Sequence, residues 1–272
     1  MAGSVRIRAG RDVRIRAGRA AAGLSSPLVL RTASILFVLA LWQWAGTVPV
    51  SIAFPSCTET LAALWDMLVD GTLVSAYAET AGPLIVGILL TAVGGVLAGL
   101  VMGLSKRAEW LGLPLFIVLQ ASPSAAIVPL ITFIYGIGFT AKVFAVVLLS
   151  APVIVLNSYR GIANTPRSLL EMSNAFLASR WQRIWKVVIP AGSGLIFAGL
   201  RLGVAQGFTG AVLAELIITP TGVGDLITYN RSVADYPAMF ATILSIIVVA
   251  SVTVTLLQRM EQRLFRPEMR AV

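Results

Sequence analysis

Two charged residues, Arg201 and Glu215, stand in one apolar run with Gln206 and Thr209 between them. On a straight helix they lie about 21 Å apart at 1.5 Å per residue, too far to pair with each other. A charge at the bilayer centre costs about 2.5–3.5 kcal/mol on insertion scales, so each must face protein or water and find a partner elsewhere. Two chemistries fit: guidance of an anionic or polar solute along a pathway, or structural ion pairing and helix-end anchoring. A second polar group lies in Gln120-Ala-Ser-Pro-Ser-Ala-Ala-Ile-Val-Pro-Leu130. Its two prolines each remove a backbone donor and crowd the preceding turn, which predicts a helix kinked near its middle. Broken backbone at membrane depth is tolerated where protein buries it or where it lines an aqueous cavity. A solute pathway and the local packing of a kinked helix both answer to that pattern. The pathway candidates are Ser122, Ser124, Thr132, Arg201 and Gln206.

Covalent chemistry finds no support. The chain has no histidine and one cysteine, Cys57, so neither an intrachain disulfide nor a Cys/His metal site can be assembled. There is no Gly-x-Ser-x-Gly elbow and no Gly-x-x-x-x-Gly-Lys phosphate loop. The expectation is therefore no catalytic residue, no metal and no cofactor held by this chain. An intramembrane enzyme would lack a nucleophile–base pair, and an ATP-driven process would need an ATPase on another chain.

The elements that must position these residues are membrane spans. Hydrophobic residues make up 57% of the 272 and charged residues 12%, about half the charge of an average soluble domain. Six runs are long enough to cross about 30 Å of hydrocarbon, at 29–48, 80–104, 112–135, 139–162, 191–219 and 236–258. The fold class is all-α, a polytopic membrane protein with six transmembrane helices. Gly87, Thr91, Gly95, Gly99 and Gly103, and again Gly199, Gly203, Gly207 and Ala211, recur every four residues and predict close helix packing. Between the first two spans, Leu61, Leu64, Trp65 and Leu68 mark a short outer helix over 58–68.

The positions of the basic residues decide orientation better than the net charge of +9 does. Seven arginines between residues 6 and 31, Lys106 and Arg107, five basic residues in and beside 163–190, and Arg259, Arg263, Arg266 and Arg270 lie at alternate connections and at the two ends. The 49–79 connection carries no Lys or Arg. By the positive-inside rule both termini and the 163–190 loop are cytoplasmic. The tail repeats Val-Arg-Ile-Arg-Ala-Gly-Arg at 5–11 and 13–19, which suits an anchor on anionic lipid; a regulatory or nucleic-acid role is the alternative. The run of arginines is unlike a cleaved signal, and the first span is read as retained.

The 163–190 loop is long, basic and amphipathic. Thr165 before Pro166 offers an N-cap with proline at the first helical position, and Ser168 with Glu171 offers a competing capping box. Leu169, Met172 and Phe176 then share one apolar face. Such a helix lies on lipid or plugs into a partner's groove.

The stretch Glu171-Met-Ser-Asn-Ala-Phe-Leu-Ala-Ser-Arg-Trp-Gln-Arg-Ile-Trp-Lys-Val-Val-Ile-Pro190 resembles the cytoplasmic EAA loop of bacterial ABC importer permeases. That motif opens Glu-Ala-Ala, has glycine six residues after the Glu, and closes on an apolar residue and proline. Glu171, Ala178, Ser179 and Ile189-Pro190 match; Met172 and Ser173 replace the two alanines, and Leu177 stands at the glycine. Because leucine resists positive φ, the first helix is expected to run on or to turn differently. Gly199-Leu-Arg-Leu-Gly203, Ala214-Glu215 and Thr221-Gly-Val-Gly-Asp-Leu-Ile227 extend the resemblance, which covers residues 50–260 and is most similar to the nitrate, sulfonate and taurine branch.

The resemblance implies a type I ABC importer permease in the bacterial cytoplasmic membrane, itself non-catalytic. Two copies would form the pathway as a homodimer in membrane lipid, two ATP-binding cassette subunits holding ATP and Mg would drive it, and an extracytoplasmic binding protein would deliver the solute. No nucleic acid partner is implied. ATPase docking would fall to Glu171, Phe176, Leu177, Ala178 and Arg180. The implied solute is a small, anionic compound such as a sulfonate, nitrate, taurine or related organic acid; pyrimidine-like and aromatic acid importers share the branch. The domain reading is a basic tail at 1–27, a permease domain at 28–264 and a cytoplasmic tail at 265–272. The rival class is a stand-alone, ion-coupled transporter using Arg201 and Glu215.

Overall fold

The computed structural model describes residues 27–48, 51, 53–218 and 220–265, except the side chains of residues 27, 28, 124 and 263–265. The duplicated basic tail and residues 266–272, with the tail boundaries read from them, lie outside the described residues, as does the Ser124 side chain. All regular structure among the described residues is helical. The chain divides into two compact units at Ala63/Leu64.

In the first unit α1, Pro27–Thr47, has 21 residues, about 31 Å at 1.5 Å per residue and so a match to the hydrocarbon thickness. Its side chains Leu36 and Phe37 are exposed, as lipid-facing positions are. The Trp42 indole donates to the Pro55 carbonyl (3.2 Å), and Gln43 exchanges two hydrogen bonds with Thr58. Helix α2, Cys57–Val69, opens on a capping box in which the Ser56 N–H and hydroxyl both donate to Glu59 (2.8 Å each). Those two bonds hold the Glu59 carboxyl below its ordinary pKa. The outer helix expected at 58–68 is this element.

The second unit is organised on α3, Thr72–Leu104, α6, Phe139–Ala163, and α9, Ile189–Ile217. Gly87 meets Val146, Gly95 meets Ile154, Gly99 meets Ser158 and Gly103 meets Ile162, so α3 and α6 run parallel. Gly161 faces Gly192, Gly199 faces Asn157 and Gly210 faces Ala145, so α9 runs antiparallel to α6. The stripes read from the sequence are these seams. At Gly99 a Cβ would lie 2.5 Å from the Ser158 Cβ and 2.7 Å from the Val155 carbonyl oxygen, a separation only glycine permits.

Because α3 and α6 are parallel, the chain between them must return from the Leu104 end to the Phe139 end. It does so through α4, Lys106–Ala121, and α5, Ser124–Tyr135, set at 109° to each other. Gly112 of α4 lies against Met102, near the end of α3. Val128 and Ile131 of α5 share a buried cluster with Ala141, Ala145 and Ala214 at the opposite end. The kinked span expected at 112–135 is thus two helices broken at Ser122 and Pro123; five other helices are long and apolar enough to cross a membrane, and this pair taken as one span makes six. Short α7, Arg167–Ala175, and α8, Arg180–Arg183, form the 163–190 loop; a π-helical turn, Ile184–Val188, joins α8 to α9. Helix α10, Val223–Ser232, and α11, Tyr236–Phe265, complete the unit.

Several boundaries differ from the expectation; α4, for one, starts at Lys106 rather than 112. Helix α3 starts at Thr72 rather than 80, and α11 continues to Phe265 rather than 258, because a helix continues through polar residues beyond the hydrocarbon. Helix α9 ends at Ile217, where 219 was expected.

Candidate functional site: loop, cavity and buried charges

Helix α7 begins at Arg167 without a side-chain cap. Neither expected cap is used, since the Thr165 hydroxyl donates instead to the Ile162 carbonyl (2.8 Å). The capping box of this loop lies further on: Ser179 and Gln182 exchange bonds of 3.3 and 2.9 Å to open α8. The inward side of α7 is a separate one from the face of Leu169, Met172 and Phe176. Leu170 packs on Ile162, Val188 and Ile196, Ser173 is buried, and Met172 and Phe176 face outward. The apolar face read as Leu169, Met172 and Phe176 is left outward, with Leu169 half-buried and the other two exposed.

The turn after α7 is made despite the leucine. Leu177 adopts φ 50°, the Ala178 N–H reaches the Ser173 carbonyl (3.0 Å), and the Leu177 N–H reaches the Asn174 carbonyl (2.9 Å). These are the two bonds of a Schellman motif. The helix neither runs on nor turns differently; leucine accepts a left-handed conformation that costs about 1–2 kcal/mol. The result is a hydrogen-bonded tip on which Phe176 is 80% and Leu177 91% exposed. Glu171 and Arg180 are also exposed, and Ala178 is half-buried.

The break between α4 and α5 opens a cavity of about 240 Å³ lined by Gln120, Ser122, Gln206 and apolar residues including Leu149 and Pro152. Ser122 donates to the Val118 carbonyl at 2.7 Å. Gln206 and Thr209 are exposed halfway along α9, a depth at which lipid would leave an amide unsatisfied. Of the sequence candidates, Ser122 and Gln206 come together here. Thr132 donates to Pro129 on its own helix, and Arg201 pairs with Glu261 of α11. No charged residue lines the cavity among the described residues.

Glu215 has a different partner. Its carboxylate accepts from Lys142 Nζ (2.9 Å), from the Thr80 hydroxyl (2.8 and 3.0 Å) and from the Gly224 N–H (3.0 Å). Lys142 also donates to the Thr221 hydroxyl (2.8 Å) and carbonyl (3.2 Å). Both charges are buried, so α3, α6, α9 and the start of α10 meet at one satisfied ion pair. Lys142 falls near the start of the apolar run read at 139–162. An isolated lysine near the start of one apolar span and an isolated glutamate near the end of an antiparallel one lie at equal depth, which was the available signal.

The sequence pattern of the binding-protein-dependent transport system inner membrane component family matches residues 92–266. The chain belongs to this family. Among its relatives is the riboflavin transport system permease protein of Chloroflexus aurantiacus, 33% identical over 155 residues, which are 57% of this chain and 58% of that protein. The putative aliphatic sulfonates transport permease protein of Bacillus subtilis is 28% identical over 93% of this chain and 91% of its own length. For the taurine transport system permease protein of Escherichia coli the values are 24%, 89% and 90%. The riboflavin match thus spans less than two thirds of that relative. A solved inward-facing MetNI methionine ABC transporter superposes with TM-score 0.58 at 18% identity, covering 71% of this chain and 94% of that one. An amino acid ABC transporter gives TM-score 0.58 at 18% identity, with 74% and 98% covered. The fold is that of type I ABC importer permeases, and this permease is a multi-pass protein of the inner membrane. Members are non-catalytic subunits, and the family implies ATPase and binding-protein partners.

Proposed function

We propose that this permease moves a small organic anion, of the sulfonate class, through the α4/α5 cavity of a homodimer driven by two ATPase subunits. An extracytoplasmic binding protein supplies the solute at the end of the second unit that holds Lys142 and Glu215. ATP and Mg belong to the ATPases, and both termini with the 163–190 loop face the cytoplasm. The carrying observation is the loop tip: Phe176 and Leu177, large and apolar, stand 80% and 91% exposed on a hydrogen-bonded turn. Such a tip moves as a body with whatever grips it, and it is joined to α6 and α9 at its two ends. A lever transmits force only if its contacts differ between the two states, which closure of an ATPase groove would provide.

The solute class is supported by the sulfonate and taurine relatives and by the cavity's donors. Amide N–H groups of Gln120 and Gln206 and nearby polar groups can bind an anion without a fixed cation, weakly enough for release. The two groups an ion-coupled mechanism would use are each in an ion pair, Arg201 with Glu261 and Glu215 with Lys142, which supports the ATP-driven reading. The test is radiolabelled taurine uptake by the reconstituted importer carrying Gln206→Leu. Loss of one donor should slow uptake about tenfold with assembly and ATPase binding intact. Wild-type uptake by the assembled variant would remove Gln206 from the pathway.

A further inference from the structure

A second cavity, of about 430 Å³, lies under the loop, at the end of the second unit that carries Lys106, Arg107 and Arg160. Its wall is apolar, formed by Leu104, Ile162, Leu170, Ile184 and Val188, and its polar groups include Arg180 and Arg183. Neither arginine has a carboxylate within salt-bridge distance among the described residues. The Arg183 Nε is buried without an acceptor. A buried N–H donor on a cation with nothing to receive it calls for an explanation. Two helices, α3 at Leu104 and α6 at Ala163, end beside the cavity, each bringing about half a negative charge. Two guanidiniums against two such ends leave roughly one positive charge uncompensated.

Depth identifies the ligand chemistry. Trp181 and Trp185, edge to face at 5.6 Å, are 68% and 55% exposed on the same helical turns that carry the arginines. Exposed tryptophans of this kind favour the headgroup boundary. The π turn brings Ile184 and Val188 onto the cavity wall below. An apolar wall under a guanidinium rim, at headgroup depth, has the complementarity of a phosphodiester attached to acyl chains.

We propose that this cavity binds the phosphate of one anionic phospholipid, with Arg180 and Arg183 as donors and the lipid's glycerol and upper acyl carbons on the apolar wall. The lipid ties α7 and α8 to the ends of α3 and α6, so it regulates the stiffness of the loop. This goes beyond the transport reading and holds whatever the solute is.

The test uses the full-length chain in detergent, titrated with phosphatidylglycerol, phosphatidylcholine or inorganic phosphate. The readouts are native mass spectrometry for retained lipid and the thermal unfolding midpoint. One retained phosphatidylglycerol per chain and a raised midpoint are expected, with neither phosphatidylcholine nor millimolar phosphate reproducing them. Arg180→Gln, at an exposed side chain that spares the packing, should weaken lipid retention about tenfold, the order of one charge-assisted bond. Arg183→Lys, which keeps the charge and loses the fork, should also weaken it, while Arg231→Gln on α10 should not. Retention unchanged by Arg180→Gln and Arg183→Lys would overturn the assignment, because the arginines would then serve only the helix ends. Equal stabilisation by inorganic phosphate would overturn it in favour of a soluble anion.

Discussion

Leu177 is the residue at which local preference and observed conformation conflict. Its side chain is 91% exposed, so its own chain does not offset the left-handed backbone it adopts. Leu177→Gly should therefore raise stability by about 1 kcal/mol, read as a higher thermal midpoint, while lowering ATP-driven uptake because the apolar knob is gone. Unchanged uptake would show that the side chain has no partner. At Lys142 and Glu215 the balance is reversed, since every oxygen and nitrogen of the pair is satisfied within the protein. Removing Glu215 alone should cost about 3–5 kcal/mol by stranding a buried lysine, and removing both charges should cost less than the sum of the single losses. A double-mutant cycle on Lys142→Met and Glu215→Leu, followed by folded yield and unfolding midpoint, measures the coupling. Strict additivity would mean that the two charges do not interact.

At the scale of elements, small residues set the spacing of α3, α6 and α9. Gly99→Val should block the α3/α6 seam and abolish folded protein, because its Cβ would fall 2.5 Å from the Ser158 Cβ. Gly94→Val on the same helix meets nothing within 4 Å and should express normally. Comparable monodisperse yields of the two variants would contradict the seam. These elements were legible in the sequence because an apolar run and a four-residue stripe are each local signals. The break at Ser122 and Pro123 was legible as a kink from its prolines, but its 109° angle depends on α5 packing against Ala141, Ala145 and Ala214, which are distant in sequence. Which side of α7 packs inward was not legible for the same reason. Leu170 turns inward because Ile162, Val188 and Ile196 are there to receive it, and periodicity within the helix cannot register that.

For the whole molecule, the resemblance of residues 171–190 led to the right family while leaving the pairing of its charges open. Arg201 needed a partner, and Glu261 supplies it from α11, beyond the boundary read at 258. Glu215 needed one too, and Lys142 supplies it from near the start of α6. Both charges are paired within the protein, and the proposed route for energy is the exposed tip of the 163–190 loop. The most direct measurement is solute uptake into proteoliposomes containing this permease, with its binding protein outside and its ATPase partner and ATP added or withheld inside. Uptake that requires both ATPase and internal ATP, and that falls with Leu177→Gly, is the predicted result. Uptake by the permease alone under an ion gradient would contradict the account.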